Sequence, residues 1–136
     1  MINQSTRLLA IGTQDKITPL LASFQDENPN NVIDIVTTVD QALQYIKQAQ
    51  QPYHVILLDE SAVPIKHITR LTLETEITAS SKVIVLQKEA KPLSNVFDAL
   101  ILPCHPDEVA RLIHHAAELL AIAITFALHN GGMTWF

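Results

Sequence analysis

YHVILLDESAVP, residues 53–64, decides the fold. Its apolar residues from Val55 to Leu58 follow one another without a polar break and end on a carboxylate, Asp59. A strand that faces water on one side alternates apolar and polar residues, whereas one covered on both faces is apolar at every position. The run therefore predicts a central strand of a parallel sheet, with a charged group at its carboxyl end.

Working outward, the same kind of run recurs on both sides. Leu8 to Ile11 and Val32 to Val36 precede it, and Val83 to Leu86 and Ala99 to Leu102 follow. With His54 to Leu58 these make five short strands, each followed by a polar break, and the stretches between them are mostly helical in pattern. Regular βα alternation implies helices on both faces of one sheet. The expected fold is α/β, a flavodoxin-like (βα)5 three-layer sandwich whose parallel five-stranded sheet has the order 2-1-3-4-5.

The helices are read from their starts and their apolar spacing. Thr18 and Pro19 serve as a cap and first helical position, leading into Leu20, Leu21 and Phe24, and NPNN at 28–31 ends that helix. Asp40 is a cap for a second helix with Ala42, Leu43 and Ile46 on one face. Ile65, Ile68 and Leu71 have helical spacing, although TRLTLETEIT from Thr69 alternates like a strand; the need for a crossover favours helix. KEAKPLSNVFDA leaves room for a short fourth helix, and Pro106, Asp107 and Glu108 open a long last one.

Composition excludes several classes. A chain of 136 residues, 48% hydrophobic and 17% charged, suits one compact domain and not a disordered segment. That domain is placed at 1–120, with 121–136 as a helical extension or linker. Cys104, the single cysteine, cannot close an internal disulfide, and no basic region leads an apolar run at the start, so a reducing, cytoplasmic setting is expected. A net charge of −5 with scattered Lys and Arg gives no face for a phosphate backbone, so direct nucleic-acid binding is not expected. Ala116 to Leu128, broken by Glu118 and Thr125, is shorter than the roughly 20 residues a bilayer needs. No membrane contact is expected.

In a sheet of this kind, chemistry gathers where the strands end. The residues there are Gly12 to Asp15, Asp59 to Ser61, Gln87 to Glu89, and Pro103 to His105. Asp59 stands out as a carboxylate directly off a buried strand. An aspartate at such a place also serves as a surface residue that caps the following turn.

At these positions residues 7–120 resemble the response-regulator receiver family of two-component signalling. HVILLD is similar to the third strand that carries the phosphoacceptor aspartate, and LILPCHPDEVARLI to strand five, its proline turn and the final helix. The resemblance puts Asp59 at the phosphoacceptor position and Pro103 at a proline often preceded by a cis bond. It also implies an acidic pair after strand one to hold Mg²⁺, which takes hard oxygen ligands. Gly12 and Thr13 stand there instead, with Asp15 two or three residues farther on. Gln87 replaces the expected hydroxyl residue, Leu102 the expected lysine, and Pro64 lies one residue farther from the aspartate than usual. With only the acceptor in place, phosphorylation should be inefficient, since losing one charge-stabilising group typically costs on the order of 10²-fold. The resemblance thus points to a pseudo-receiver, with no enzyme activity and no cofactor, acting on a protein partner: an output domain, a histidine kinase or a second copy of itself.

Two alternatives accompany that reading. One is a phosphorylatable receiver with Asp59 as acceptor; the other is a small flavodoxin-like cofactor-binding domain, for which GTQDKITP at 12–19 is a weak phosphate loop. The histidines are dispersed, and His114 and His115, about 100° apart on one helix, do not form a metal pair. A Cys104–His105 nucleophile would need two sequence neighbours to face each other at a turn.

The last helix carries more apolar surface than a sheet requires. Val109, Ile113, Ala116, Leu120, Ala123 and Ala127 form one seam, and Leu112, Leu119, Ile122 and Phe126 form a second beside it. Leu119, Ile122 and Phe126 are therefore the expected interface, for a homodimer or for a partner; the alternative is a long core helix that Gly131 and Gly132 end and that the tail HNGGMTWF folds back to cover with Trp135 and Phe136.

Overall fold

The computed structural model describes residues 5–63, 66, 70, 71, 81–91 and 96–129, with side chains to residue 119 in the last stretch. Five strands form one sheet: β1 Arg7–Ile11, β2 Val32–Val36, β3 Val55–Asp59, β4 Lys82–Gln87 and β5 Asp98–Ile101. All neighbours are parallel, in the order β2-β1-β3-β4-β5. This is the flavodoxin-like α/β sandwich expected from the apolar runs.

Strand parity builds two cores from one sheet. Leu9, Ile11, Ile56, Leu58, Val83 and Val85 face one layer, where helix α3 (Val39–Gln48) supplies Val39, Ala42 and Leu43. Leu8, Ala10, Val55, Leu57, Ile84 and Leu86 face the other. There they meet Ile17 of α1 (Gln14–Leu20), Phe24 of α2 (Ala22–Glu27), and Val109, Ile113 and Ala116 of α4 (Pro106–His129). Every residue of β3 is buried, so the central strand is sealed on both sides and its direction fixes where Asp59 emerges.

Two helix starts differ from the sequence reading. The first helix begins at Gln14, because Thr13 O accepts the N–H groups of Lys16 and Ile17. Pro19 lies inside it, and the helix breaks soon after, at Leu21, into α1 and α2. Proline has no N–H for an intrahelical bond, so it ends a helix more readily than it extends one. Ile17 and Phe24 remain two turns apart and are buried in the same core.

Thr38, not Asp40, caps α3: its Oγ1 accepts from Gln41 N–H at 3.1 Å. Asp40 lies in the first turn, where a negative charge suits the helix dipole, and forms an exposed 2.9 Å pair with Arg70. The last helix opens at Pro106 with Asp107 and Glu108 in its first turn, as the sequence predicts, and His105 caps it. Its carbonyl accepts Glu108 N–H and its Nδ1 accepts Asp107 N–H. The two remaining helix readings, over 65–78 and within 88–99, fall largely outside the described residues.

No helix among the described residues is long and apolar enough to cross a membrane. Through Ala116, α4 is pinned to α2 by Ser23 Oγ donating to Asp107 Oδ1 at 2.6 Å and by a His114–Glu27 pair.

Candidate functional site at the strand ends

After β1 the chain moves to one side of the sheet for β2, then crosses β1 to place β3 on the other side. The switch leaves a crevice between the carboxyl ends of β1 and β3. Gly12 and Asp59 stand at its two rims.

Asp59 is the last residue of β3, in register with Leu86 of β4, and is 2% exposed. Its Oδ1 accepts from Ser61 N–H at 3.0 Å and Ser61 Oγ at 2.8 Å, capping a single 3-10 turn, Glu60–Ala62. The two sequence readings of this residue meet here. It caps the turn after the strand, but as a buried carboxylate and not a surface one.

Gly12 is buried, and its N–H donates to Val36 O at 2.9 Å, which ties the end of β1 to β2. A Cβ built at this position would lie 3.1 Å from Asp59 Cβ and 3.2 Å from Ile17 Cγ1. Thr13 is exposed and occupies the N-cap position of α1, and Asp15 is exposed in its first turn. The β1 end therefore brings no carboxylate against Asp59. A divalent cation needs several hard oxygens converging on one point, and the donor set here does not fit it.

Gln87, the last residue of β4, is 2% exposed. Its Nε2 donates to Glu60 Oε2 at 3.2 Å and to Lys91 O at 3.3 Å, while Lys91 Nζ stands 3.6 Å from Glu60 Oε1. Leu102 lies just past β5, partly buried on the core shared with α4, and its N–H donates to Gln87 O at 2.7 Å. Pro103 is exposed, and the Leu102–Pro103 peptide is cis. Thus Gly12, Asp59, Gln87 and Leu102 gather at one end of the sheet. Pro64 lies outside the described residues.

Sequence reasoning passed over Glu60 and missed Lys91. The register supplies the signal: with Asp59 opposite Leu86, Glu60 falls opposite Gln87, so a lysine four residues on is within reach.

The four histidines whose side chains are described have structural places. His54 Nδ1 accepts Arg7 N–H at 3.0 Å, and burial first, then the Arg7 charge, holds its pKa below the ordinary value. His105 caps α4. His114 meets Phe24, and its neighbour His115 meets Phe97 on the other flank of the helix, each with ring centroids just under 6 Å apart. No group of three or more metal-ligating side chains occurs among the described residues. Burial, with Glu108 adding to it, pushes the Cys104 thiol up, the wrong direction for a nucleophile. Of the phosphate-loop candidate at 12–19, Gly12 and Thr13 separate β1 from α1 and the rest lie in the helix.

No family model and no curated protein matches the sequence. Solved structures do match the fold. The signal receiver domain of a putative LuxO repressor protein from Vibrio parahaemolyticus aligns with a TM-score of 0.71 at 14% identity, over 90% of this chain and 98% of that one. The chemotaxis response regulator CheY4 of Vibrio cholerae gives 0.66 at 14% identity, over 83% and 99%. A chain from the co-crystal of the Saccharomyces cerevisiae phosphotransfer protein Ypd1 with the receiver domain of Ssk1 gives 0.68 at 12%, over 86% and 92%. In strand order and in the parallel five-stranded architecture, this chain has the fold of the CheY-like response-regulator receiver domains.

Proposed function

We propose that this chain is a receiver domain of a cytoplasmic signalling protein that works as a pseudo-receiver: it transmits through protein contacts and does not depend on phosphorylation of Asp59. The observation that carries this reading is the packing of Gly12 on Asp59. A receiver that phosphorylates itself must bring positive charge to the incoming phosphoryl group, and Mg²⁺ held by carboxylates is the usual means. Here the β1 rim is filled by backbone and by Ile17, Gln87 stands where a hydroxyl would, and Leu102 offers no charge.

The partner is a protein: an output domain, a histidine kinase or a second copy. The surface offered is the outer face of α4 around Leu119, continued by Ile122 and Phe126 in the 121–136 extension. Leu119 is 39% exposed, a large apolar side chain left uncovered at the end of the described side chains.

The position of Asp59 at the end of the central strand favours a second reading, in which it accepts a phosphoryl group, as the likeness to receiver structures also suggests. Incubation with a small phosphodonor and Mg²⁺, followed by intact-mass measurement, separates the two. The pseudo-receiver reading expects no addition; a stoichiometric, hydroxylamine-labile phosphoryl group that disappears in Asp59→Asn overturns it.

A further inference from the structure

Among the described residues, the ends of β1, β3 and β4 hold no group of three carboxylate or other metal-ligating side chains, yet they hold a positive charge of their own. We propose that the Lys91 ammonium is the resident cation of this site and that, through Glu60 and Gln87, it latches residues 87–91 to the end of β3. The proposal goes beyond the reading of Asp59, because it rests on a different carboxylate.

Glu60 has a side chain only 11% exposed, so its charge needs partners in place of much of its water. Each oxygen has one: Oε2 accepts from Gln87 Nε2, and Oε1 faces Lys91 Nζ. The Gln87 amide has two N–H donors. Two contacts are open to them, Glu60 Oε2 and the Lys91 carbonyl. Glu60, Gln87 and Lys91 therefore close a ring of contacts between the turn after β3 and the segment after β4. A serine or threonine at position 87 could not span both.

The ring also reaches β5. Gln87 O accepts Leu102 N–H, so the residue that orders the latch also holds the backbone where β5 ends and the turn to α4 begins. Glu60 has lost much of its water, but the Lys91 side chain is 49% exposed. An ion pair open to solvent on one side is screened by salt, which makes it the weak member of the ring and the place where the ring opens. The latch thus gives the segment a closed state that needs no phosphoryl group, and a local opening that leaves the buried sheet untouched.

Backbone ¹⁵N relaxation on the full chain tests this, comparing wild type with Lys91→Met and with Glu60→Gln. In wild type at low salt, amides 88–91 should give order parameters near about 0.8; in either variant, and in wild type at about 1 M NaCl, they should fall below about 0.6. Leu102 N–H should exchange faster with solvent in both variants, while the β1 amides keep their wild-type rates. Mg²⁺ should act only as salt of equal ionic strength. Unchanged order parameters in the variants would overturn the latch. So would equal loosening of β1, which would make Lys91 a general stabiliser, or rigidification of wild type by low Mg²⁺, which would put the resident charge elsewhere.

Discussion

Gly12 and Asp59 approach each other across the crevice so closely that a methyl group on Gly12 would stand 3.1 Å from the Asp59 Cβ. The contact joins a packing fact to a functional one. The resemblance to receivers implies an acid at this position, and any side chain placed here has to displace Asp59 or Ile17 by a few tenths of an ångström.

Gly12→Asp should accordingly destabilise the fold by about 1–3 kcal/mol, the usual cost of forcing extra atoms into a packed site. It should also fail to bind Mg²⁺ at sub-millimolar concentration. Gly12→Ala should lose stability too, since the first added carbon already makes the contact. Urea unfolding and Mg²⁺ titration check both; a stable Gly12→Asp with tight Mg²⁺ binding would show that the crevice opens readily.

His54 links stability to pH. Its Nδ1 accepts a backbone N–H from Arg7, so the ring must be neutral at that nitrogen, and burial together with Arg7 holds its pKa below the ordinary 6.5. The unfolded chain then takes up a proton at a higher pH than the folded one does. The stabilisation is complete above about pH 6.5 and is lost as pH falls from there through the depressed folded value. Urea midpoints of wild type should drop on going from about pH 7.5 to about pH 5, and those of His54→Gln should drop less. Parallel pH profiles for the two proteins would remove His54 from the account.

Tyr53 and Asp34 form a second, part-buried polar contact. Tyr53 OH donates to Asp34 Oδ2 at 2.6 Å, and the Arg7 guanidinium lies 5.2 Å from the Tyr53 ring centroid. Burial, reinforced by Asp34, raises the phenol pKa, so the tyrosine stays a donor throughout the neutral range. Tyr53→Phe removes that donor while leaving the ring over Arg7. Thermal or urea unfolding should show a loss of about 1–3 kcal/mol, as for a hydrogen bond to a charged group; no loss would mean that water replaces the phenol freely.

The five strands were legible because they carry their signal locally: a residue buried on both faces must be apolar wherever it stands, as Val55 to Leu58 are. Helix starts were less legible, since Thr18-Pro19 and Asp40 have good local chemistry for a cap yet Thr13 and Thr38 hold those positions. The competition among nearby candidates is settled by which backbone leaves the sheet first, and tertiary geometry decides that. At the site, Asp59 could be found because it ends the central strand. Glu60 and Lys91, 31 positions apart, could not be paired without the β3–β4 register, which no local pattern prints. His105 looked like a nucleophile's neighbour and proved to be a helix cap, because a ring nitrogen at an N-cap meets the same unpaired N–H groups as a carboxylate.

The outer face of α4 carries the last prediction. Among the described side chains, the buried residues of α4 are Val109, Ala110, Ile113 and Ala116, and the helix continues for 13 residues beyond Ala116, about 20 Å at the usual rise. Leu119 is already exposed within that continuation. The sequence adds Ile122 and Phe126 on the same row, whose side chains lie outside the described residues. An apolar row of this length in water is a cost unless something covers it. A second copy is the simplest cover, because the row then meets itself. Burying Leu119, Ile122 and Phe126 would favour association by roughly 1.5–3 kcal/mol per side chain before the loss of rigid-body freedom is counted. Sedimentation at tens of micromolar should therefore find wild type associated and an Ile122→Glu, Phe126→Glu variant monomeric with an unchanged circular dichroism spectrum. Well-folded monomers in both cases would rule out self-association through α4 and leave the row to a different protein.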